Sequence, residues 1–129
     1  MTAPNRPPDC EIVMAGYRPP SLNDYVRAHW RKRSKMVAIA MQLIFADLWT
    51  KDSVNRARAI KPDVKRIVEI EITNAGRDRD MDHDNAQKII LDAIVRNGLL
   101  RDDSAKWCSS FVTFRRGSAR ATRLKFWNV

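Results

Sequence analysis

The segment VKRIVEIEIT, residues 64–73, restricts the fold of this chain more than any other stretch. Val68, Ile70 and Ile72 alternate there with Glu69, Glu71 and Thr73. Successive side chains of an extended chain point to opposite sides, so the pattern is a strand with one buried face. Such a strand is not stable alone in water. It needs partner strands and a layer covering its apolar side.

The other segments supply both. Residues 11–17 read as a short strand, broken at Pro19-Pro20 into a loop. Ser34 is placed to cap a helix running to about Thr50, because Val37, Met41, Ile44, Phe45 and Leu48 fall on one helical face. Residues 51–62 are polar and basic and read as a connection. A second helix is expected from about Asp84 to just before Gly98, with Ala86, Ile89, Ile90, Ala93 and Ile94 facing the core. Two strands, about 107–115 and 120–128, close the chain through Gly117-Ser118. The order strand, helix, strand, helix, strand, strand is that of an α+β domain. One domain is expected over 1–129, with residues 1–9 flexible.

Composition narrows the class. With 44% hydrophobic residues in 129, a core can form without disulfides or a structural metal. Cys10 and Cys108 are too few for a disulfide framework and lack Cys-x-x-Cys spacing, so reduced thiols and a cytoplasmic setting are expected. No apolar run has the length of a membrane span, and the first residues, MTAPNRPPD, do not read as a signal peptide.

The formal charge is +9 and is unevenly placed. Residues 78–103 hold seven of the fifteen acids against four bases, a net −3 that leaves +12 on the remainder. No acid follows Asp103, whereas Lys106, Arg115, Arg116, Arg120, Arg123 and Lys125 do. A basic body of this kind suits a polyanion, nucleic acid first. Acids that would repel that partner need their own reason, and a divalent cation bridging carboxylate and phosphate is one.

Within RDRDMDHDN, residues 77–85, Asp78, Asp80, Asp82 and Asp84 occupy every second position. Asp82 and Asp84 can turn their carboxylates to one point as extended chain enters the helix, and Lys88 follows one turn after Asp84. Acids at a helix start also serve as caps, but capping does not require four. A calcium loop would want Gly at its sixth position and Glu at its twelfth; His83 and Ile89, or Asn85 and Leu91, stand there instead. A solvated acidic loop stays open on these residues alone.

The longer stretch MDHDNAQKIILDAIVRNGLLRDD, residues 81–103, reads D-x-D-N-x-x-K-x-x-x-D-A, then Gly, then Asp-Asp. It resembles the RusA family of Holliday junction resolvases, found in bacteria and often in their prophages. PPSLNDYVR, residues 19–27, is similar to that family's early Pro-Pro-Ser-x-Asn-x-x-Tyr loop, and the likeness covers nearly the whole chain. The resemblance implies a mixed sheet packed by helices. It also implies Mg²⁺-dependent cleavage of four-way junction DNA, with Mn²⁺ as a substitute cation, by a symmetric homodimer. Carried over residue by residue, it assigns the metal-binding carboxylates to Asp82, Asp84 and Asp103 and the functional lysine to Lys88. Asp92 takes a supporting place, as do Asp80 and Asp102. Met81 and His83 depart from the family's Arg and Leu. Arg79 stands near enough to replace that arginine, and a site shifted onto Asp80 stays open.

The chemistry suits these residues. Phosphodiester hydrolysis needs a positioned water and neutralisation of charge on the phosphoryl group, and carboxylates hold hard oxygen-liganded cations. Lys88 suits either water orientation or charge neutralisation. The DNA contacts are expected from Asn23, Arg27, Arg31, Lys32, Arg33, Lys35 and Arg79, with Trp30 as a stacking platform. Trp49, Trp107 and Trp127 read as core or interface. Leu91 and Val95 lie off the core face and offer a subunit contact. Two other readings remain: a DNA-binding protein of the same fold without cleavage, and a nuclease of broader branched-DNA specificity.

Overall fold

The computed structural model describes residues 2–20, 24, 27–79 and 83–129, with His83–Ala86 described by backbone alone. Its elements are β1 (Cys10–Ala15), α1 (Trp30–Thr50), α2 (Ser53–Ala59), β2 (Arg66–Ala75), α3 (His83–Arg96), β3 (Cys108–Gly117) and β4 (Ala121–Asn128). They form a single α+β domain.

The sheet has four strands in the order β1-β4-β2-β3. β4 is antiparallel to both neighbours, with Phe126 opposite Cys10 and Asn128 opposite Arg66. β2 and β3 are parallel, Arg66 opposite Cys108 and Ala75 opposite Gly117. A parallel pair cannot be joined by a tight turn, and α3 makes the required crossover. The last two strands are consecutive yet do not pair, because β2 lies between them. At Gly117 a Cβ would stand only 2.8 Å from Thr73 Cγ2, so the crossing over the end of β2 needs a residue without one.

The alternation of β2 places Val68, Ile70 and Ile72 under the helices, all with no exposed surface. Val37, Ala40, Ile44 and Leu48 of α1 and Ile89, Ile90, Ala93 and Ile94 of α3 cover them, together with Ile12, Met14, Leu124 and Phe126 from the flanking strands. Each such side chain contributes about 1.5–3 kcal/mol by leaving water. α3 ends in a Schellman turn: Gly98 has φ +78, Gly98 N donates to Val95 O at 3.1 Å and Leu99 N to Ile94 O at 3.0 Å. Among the described residues, no helix is long and apolar enough to cross a membrane.

Four local expectations change. α1 begins at Trp30 rather than near Ser34, because His29 Nδ1 accepts from Arg31 N at 3.3 Å and caps it. The expected connection 51–62 contains α2, capped by Asp52, whose Oδ1 accepts from Asn55 N at 2.8 Å. Phe45, at the margin of the apolar face of α1, is 55% exposed. The polar face of β2 is buried as well: Glu69 accepts from Thr113 Oγ1 at 2.7 Å, and Glu71 from Lys125 Nζ at 3.1 Å. Side chains of β3 and β4 reach both glutamates, because β2 is an inner strand. The first residues also have partners. Trp127 Nε1 donates to Arg6 O at 2.9 Å and Asn128 N to Asp9 Oδ2 at 2.7 Å.

Candidate functional site

The topology gives the domain two poles. β1 and β2 point the same way, so Ala15 and Ala75 share one end and Cys10 and Arg66 the other. α1 runs back along β1, as Val13 N donating to Asp47 Oδ2 at 3.0 Å and the shared lining of Lys51 with Cys10 and Glu11 show. α3 runs back along β2 and is therefore parallel to α1. Asn97 Nδ2 donates to Met41 O at 3.1 Å, which sets the level of the two helices. The start of α3 and the basic start of α1 thus share the upper pole.

Asp78 lies at this pole and is a structural lock. Its carboxylate accepts from Ala75 N at 3.0 Å and from Arg120 Nε and Nη2 at 3.0 and 2.5 Å. Arg18 Nη1 stands 3.8 Å away, while Arg18 Nη2 donates to Arg79 O. The bidentate bond from Arg120, helped by the Ala75 amide, holds the Asp78 carboxyl well below the usual carboxylate range. One aspartate therefore fastens the exit of β2 to the β3–β4 link and to the segment after β1. It turns the chain toward α3. The signal was available in the sequence: Gly76, at φ +56, followed by an acid two residues on is a turn.

Asp80, Asp82 and Asn23 lie outside the described residues. So do the side chains of His83 and Asp84, although the backbone of both opens α3. Lys88 is exposed one turn further along. Asp92 is half-buried, another turn on. Leu91 and Val95, off the main core face of α3, are partly buried against the core.

Asp102 and Asp103 stand at the opposite pole. Trp107 N and Cys108 N donate to Ser104 O at 3.0 and 2.9 Å, which holds the loop against the start of β3. Asp102 Oδ1 accepts from Ser104 N at 2.9 Å, whereas Asp103 is exposed. Burial pushes the Cys108 thiol up to about 11, with the nearby charge of Asp103 adding to it. From Asp84 to Arg96, α3 alone spans roughly 18 Å at 1.5 Å per residue. An aspartate side chain cannot bridge that length. Within one chain, Asp103 thus lies at the far end of α3 from the backbone of Asp84. Among the described residues, no group of three His, Cys, Asp or Glu side chains could hold a metal ion.

Two sets of cations contrast. Those over the open face of the sheet are matched: Arg115 and Lys125 with Glu71 at 3.4 and 3.1 Å, Arg123 with Glu11 at 3.5 Å. Arg120 is matched with Asp78. Arg27, Arg31, Lys32 and Lys35 are exposed and form no ion pair among the described residues. Arg33 is half-exposed beside them. Trp30 is 63% exposed, with the Arg31 guanidinium 5.2 Å from its ring centre. Unpaired charge and an aromatic face thus stand together at the start of α1.

Compared with known proteins, the chain matches no family model and no curated protein.

Proposed function

We propose that the protein is a divalent-metal-dependent endonuclease of the RusA type that cuts four-way DNA junctions as a homodimer. The observation that carries this reading is the D-x-D-N-x-x-K pattern, Asp82 to Lys88, leading into α3 beside the unmatched basic end of α1. Arg27, Arg31, Lys32, Arg33 and Lys35 hold the DNA backbone together with Asn23 and Arg79, and Trp30 stacks on an exposed base.

The donor chemistry fits Mg²⁺, a hard cation that takes carboxylate oxygens and keeps several waters. Asp82, Asp84 and Asp103 would hold it. When bound, the ion supplies charge neutralisation at the phosphate and acidifies a bound water. Two carboxylates are needed at the start of α3 partly because the positive end of the helix repels a cation. Lys88, one turn along, neutralises charge on the phosphoryl oxygens as the leaving oxygen departs.

The separation of the poles bears on the dimer. Reversing a second copy end for end across α1 sets its Asp103 pole beside the α3 start of the first. Phe45, Trp49 and Ile39, all more than half exposed on α1, are the apolar side chains such an interface would cover. The same separation favours one other reading. A monomer that leaves its carboxylates apart would bind branched DNA without cutting it.

The test uses a synthetic four-way junction and a linear duplex, each with Mg²⁺, Mn²⁺ or EDTA. Paired nicks in the junction alone, dependent on the cation, are expected. Asp82→Asn should lower cleavage by roughly 10²-fold or more while junction binding survives. Absence of cleavage with either metal, alongside tight junction binding, selects the non-cutting reading.

A further inference from the structure

The lower pole carries a group of cations that no motif singles out, and one buried residue assembles it. Arg66 has no exposed surface. Its Nη1 donates to Ala59 O at 2.6 Å and to Leu99 O at 3.0 Å, its Nη2 to Arg58 O at 2.5 Å and its Nε to Asn128 Oδ1 at 2.8 Å. Its main-chain N donates to Trp107 O at 3.0 Å. The end of α2, the turn after α3, the end of β4 and the start of β3 are thereby fixed around one side chain. Arg58, Lys65, Arg101 and Lys106 are exposed around it, and none forms an ion pair among the described residues.

Trp107, half-buried, lies beside two of these cations. Arg101 and Lys106 lie 4.9 and 5.6 Å from its ring centre. Two acids are their immediate neighbours, yet neither takes these cations: Asp102 is turned onto the Ser104 amide, and Asp103 stays open. Cations of the sheet face, by contrast, are matched by carboxylates within 3.5 Å. Unmatched guanidinium and ammonium groups on an aromatic ring are what a strand of nucleic acid takes: phosphates on the charges, a base on the ring.

We infer that the loop 101–107, with Arg58 and Lys65 beside it, is a second nucleic-acid-contacting surface, and that Trp107 receives an unpaired base there. The inference rests on the proposed DNA partner but not on cleavage. In a reversed dimer this surface adjoins the α3 start of the other copy. It would hold the strand on the far side of the cut.

Binding of a fluorescent four-way junction, measured by anisotropy in EDTA from 50 to 300 mM salt, tests it apart from any chemistry. The double variant Arg101→Ala/Lys106→Ala changes only exposed side chains. It should weaken binding and lower the slope of log K against log salt by about two, near 0.9 for each phosphate no longer neutralised. Trp107→Leu should weaken binding by roughly tenfold, the lower part of the range for one stacked base. Unchanged affinity and slope in the double variant, at wild-type melting temperature, overturns the inference even if Arg31→Ala/Lys32→Ala shows the expected loss. A wild type that binds no DNA overturns it too. A reduced slope in a protein that never cuts supports this surface and ends the nuclease reading.

Discussion

Replacing Arg66 by methionine should destabilise the fold by about 2–4 kcal/mol, the cost of two buried acceptors left without a donor less the relief of desolvating a charge. The figure can be built from the hydrogen bonds. Ala59 O and Leu99 O lose their donor in the interior, at about 1–3 kcal/mol for each acceptor left unsatisfied. Arg58 O and Asn128 Oδ1 are only part-buried, and water can replace the guanidinium there. The Phe126 ring, 5.0 Å from the guanidinium carbon, loses a cation over its face but keeps an apolar neighbour in methionine. Against these losses stands the relief of desolvation. Burial pushes the Arg66 pKa down, so charge at this position opposes folding and its removal returns part of the total. For a domain with total stability of roughly 5–15 kcal/mol, the net loss is a large fraction. Urea unfolding followed by circular dichroism gives it as a lower midpoint at constant slope. Arg66→Lys keeps the charge but not the planar fork. It should fall between wild type and Arg66→Met. A methionine variant within about 1 kcal/mol of wild type would refute the view that this side chain, rather than packing alone, fastens α2 and the loop after α3 to β2.

Asp78→Asn should also destabilise the domain, and the loss should depend on pH. The folded carboxyl titrates below its unfolded value, so its contribution is complete above about pH 4 and fades as pH falls from there toward the folded pKa. The difference in urea midpoint between wild type and variant should therefore be constant from pH 5 to 7 and shrink between pH 4 and 2; a constant gap down to pH 2 would exclude the Arg120 pairing as its source. Phe45→Glu, on the exposed side of α1, should give a folded monomer by light scattering with cleavage reduced at least tenfold, and a dimer of unchanged affinity would move the interface elsewhere. Inactive Asp84→Asn and inactive Asp103→Asn proteins, mixed and allowed to exchange subunits, should regain nicking of one strand, because a site shared between copies leaves one intact site per mixed dimer. No recovery would place each site within one chain.

The regular elements were legible because their hydrophobic periods are long and unbroken. Val68-Ile70-Ile72 gave β2, and Ile89-Ile90-Ala93-Ile94, stopped by Gly98, gave α3. Strand order was not legible, since consecutive β3 and β4 look like a hairpin until the crossover through α3 forces β3 against β2. Arg66 was missed although its position was in phase with Val68 and Ile70, the core side of the strand. Charge suggested solvent, while four carbonyl and amide acceptors made burial possible. The role of Asp78 was missed because the aspartate run invited one explanation for all four acids. Its partner Arg120 is distant in sequence, and only the fold brings them together. The pattern placed Asp103 in a set with Asp82 and Asp84, but spacing in sequence carries no distance. The length of α3 separates the backbone of Asp84 from Asp103 within one chain.

The charge pattern at the start of α1 has a local electrostatic meaning. Its first turn holds Arg31, Lys32 and Arg33 and no acid. Cations at a helix N-terminus oppose the macrodipole, at roughly 0.3–1 kcal/mol for each exposed charge, and they repel one another. A helix selected for stability alone would carry acids there. Other cations of the chain do have carboxylate partners, with Glu71 set between Arg115 and Lys125 and Asp78 beneath Arg120. The unfavourable turn is therefore a departure from what helix stability alone would select, and such departures mark functional surface. A phosphate chain laid across this turn would oppose both the cation repulsion and the dipole. Binding there would stabilise α1 as well as hold the DNA, and it would do so within reach of the first turn of α3. The geometry thus links the two features that the sequence keeps apart, a basic helix start and an acidic one, through the parallel packing of α1 and α3.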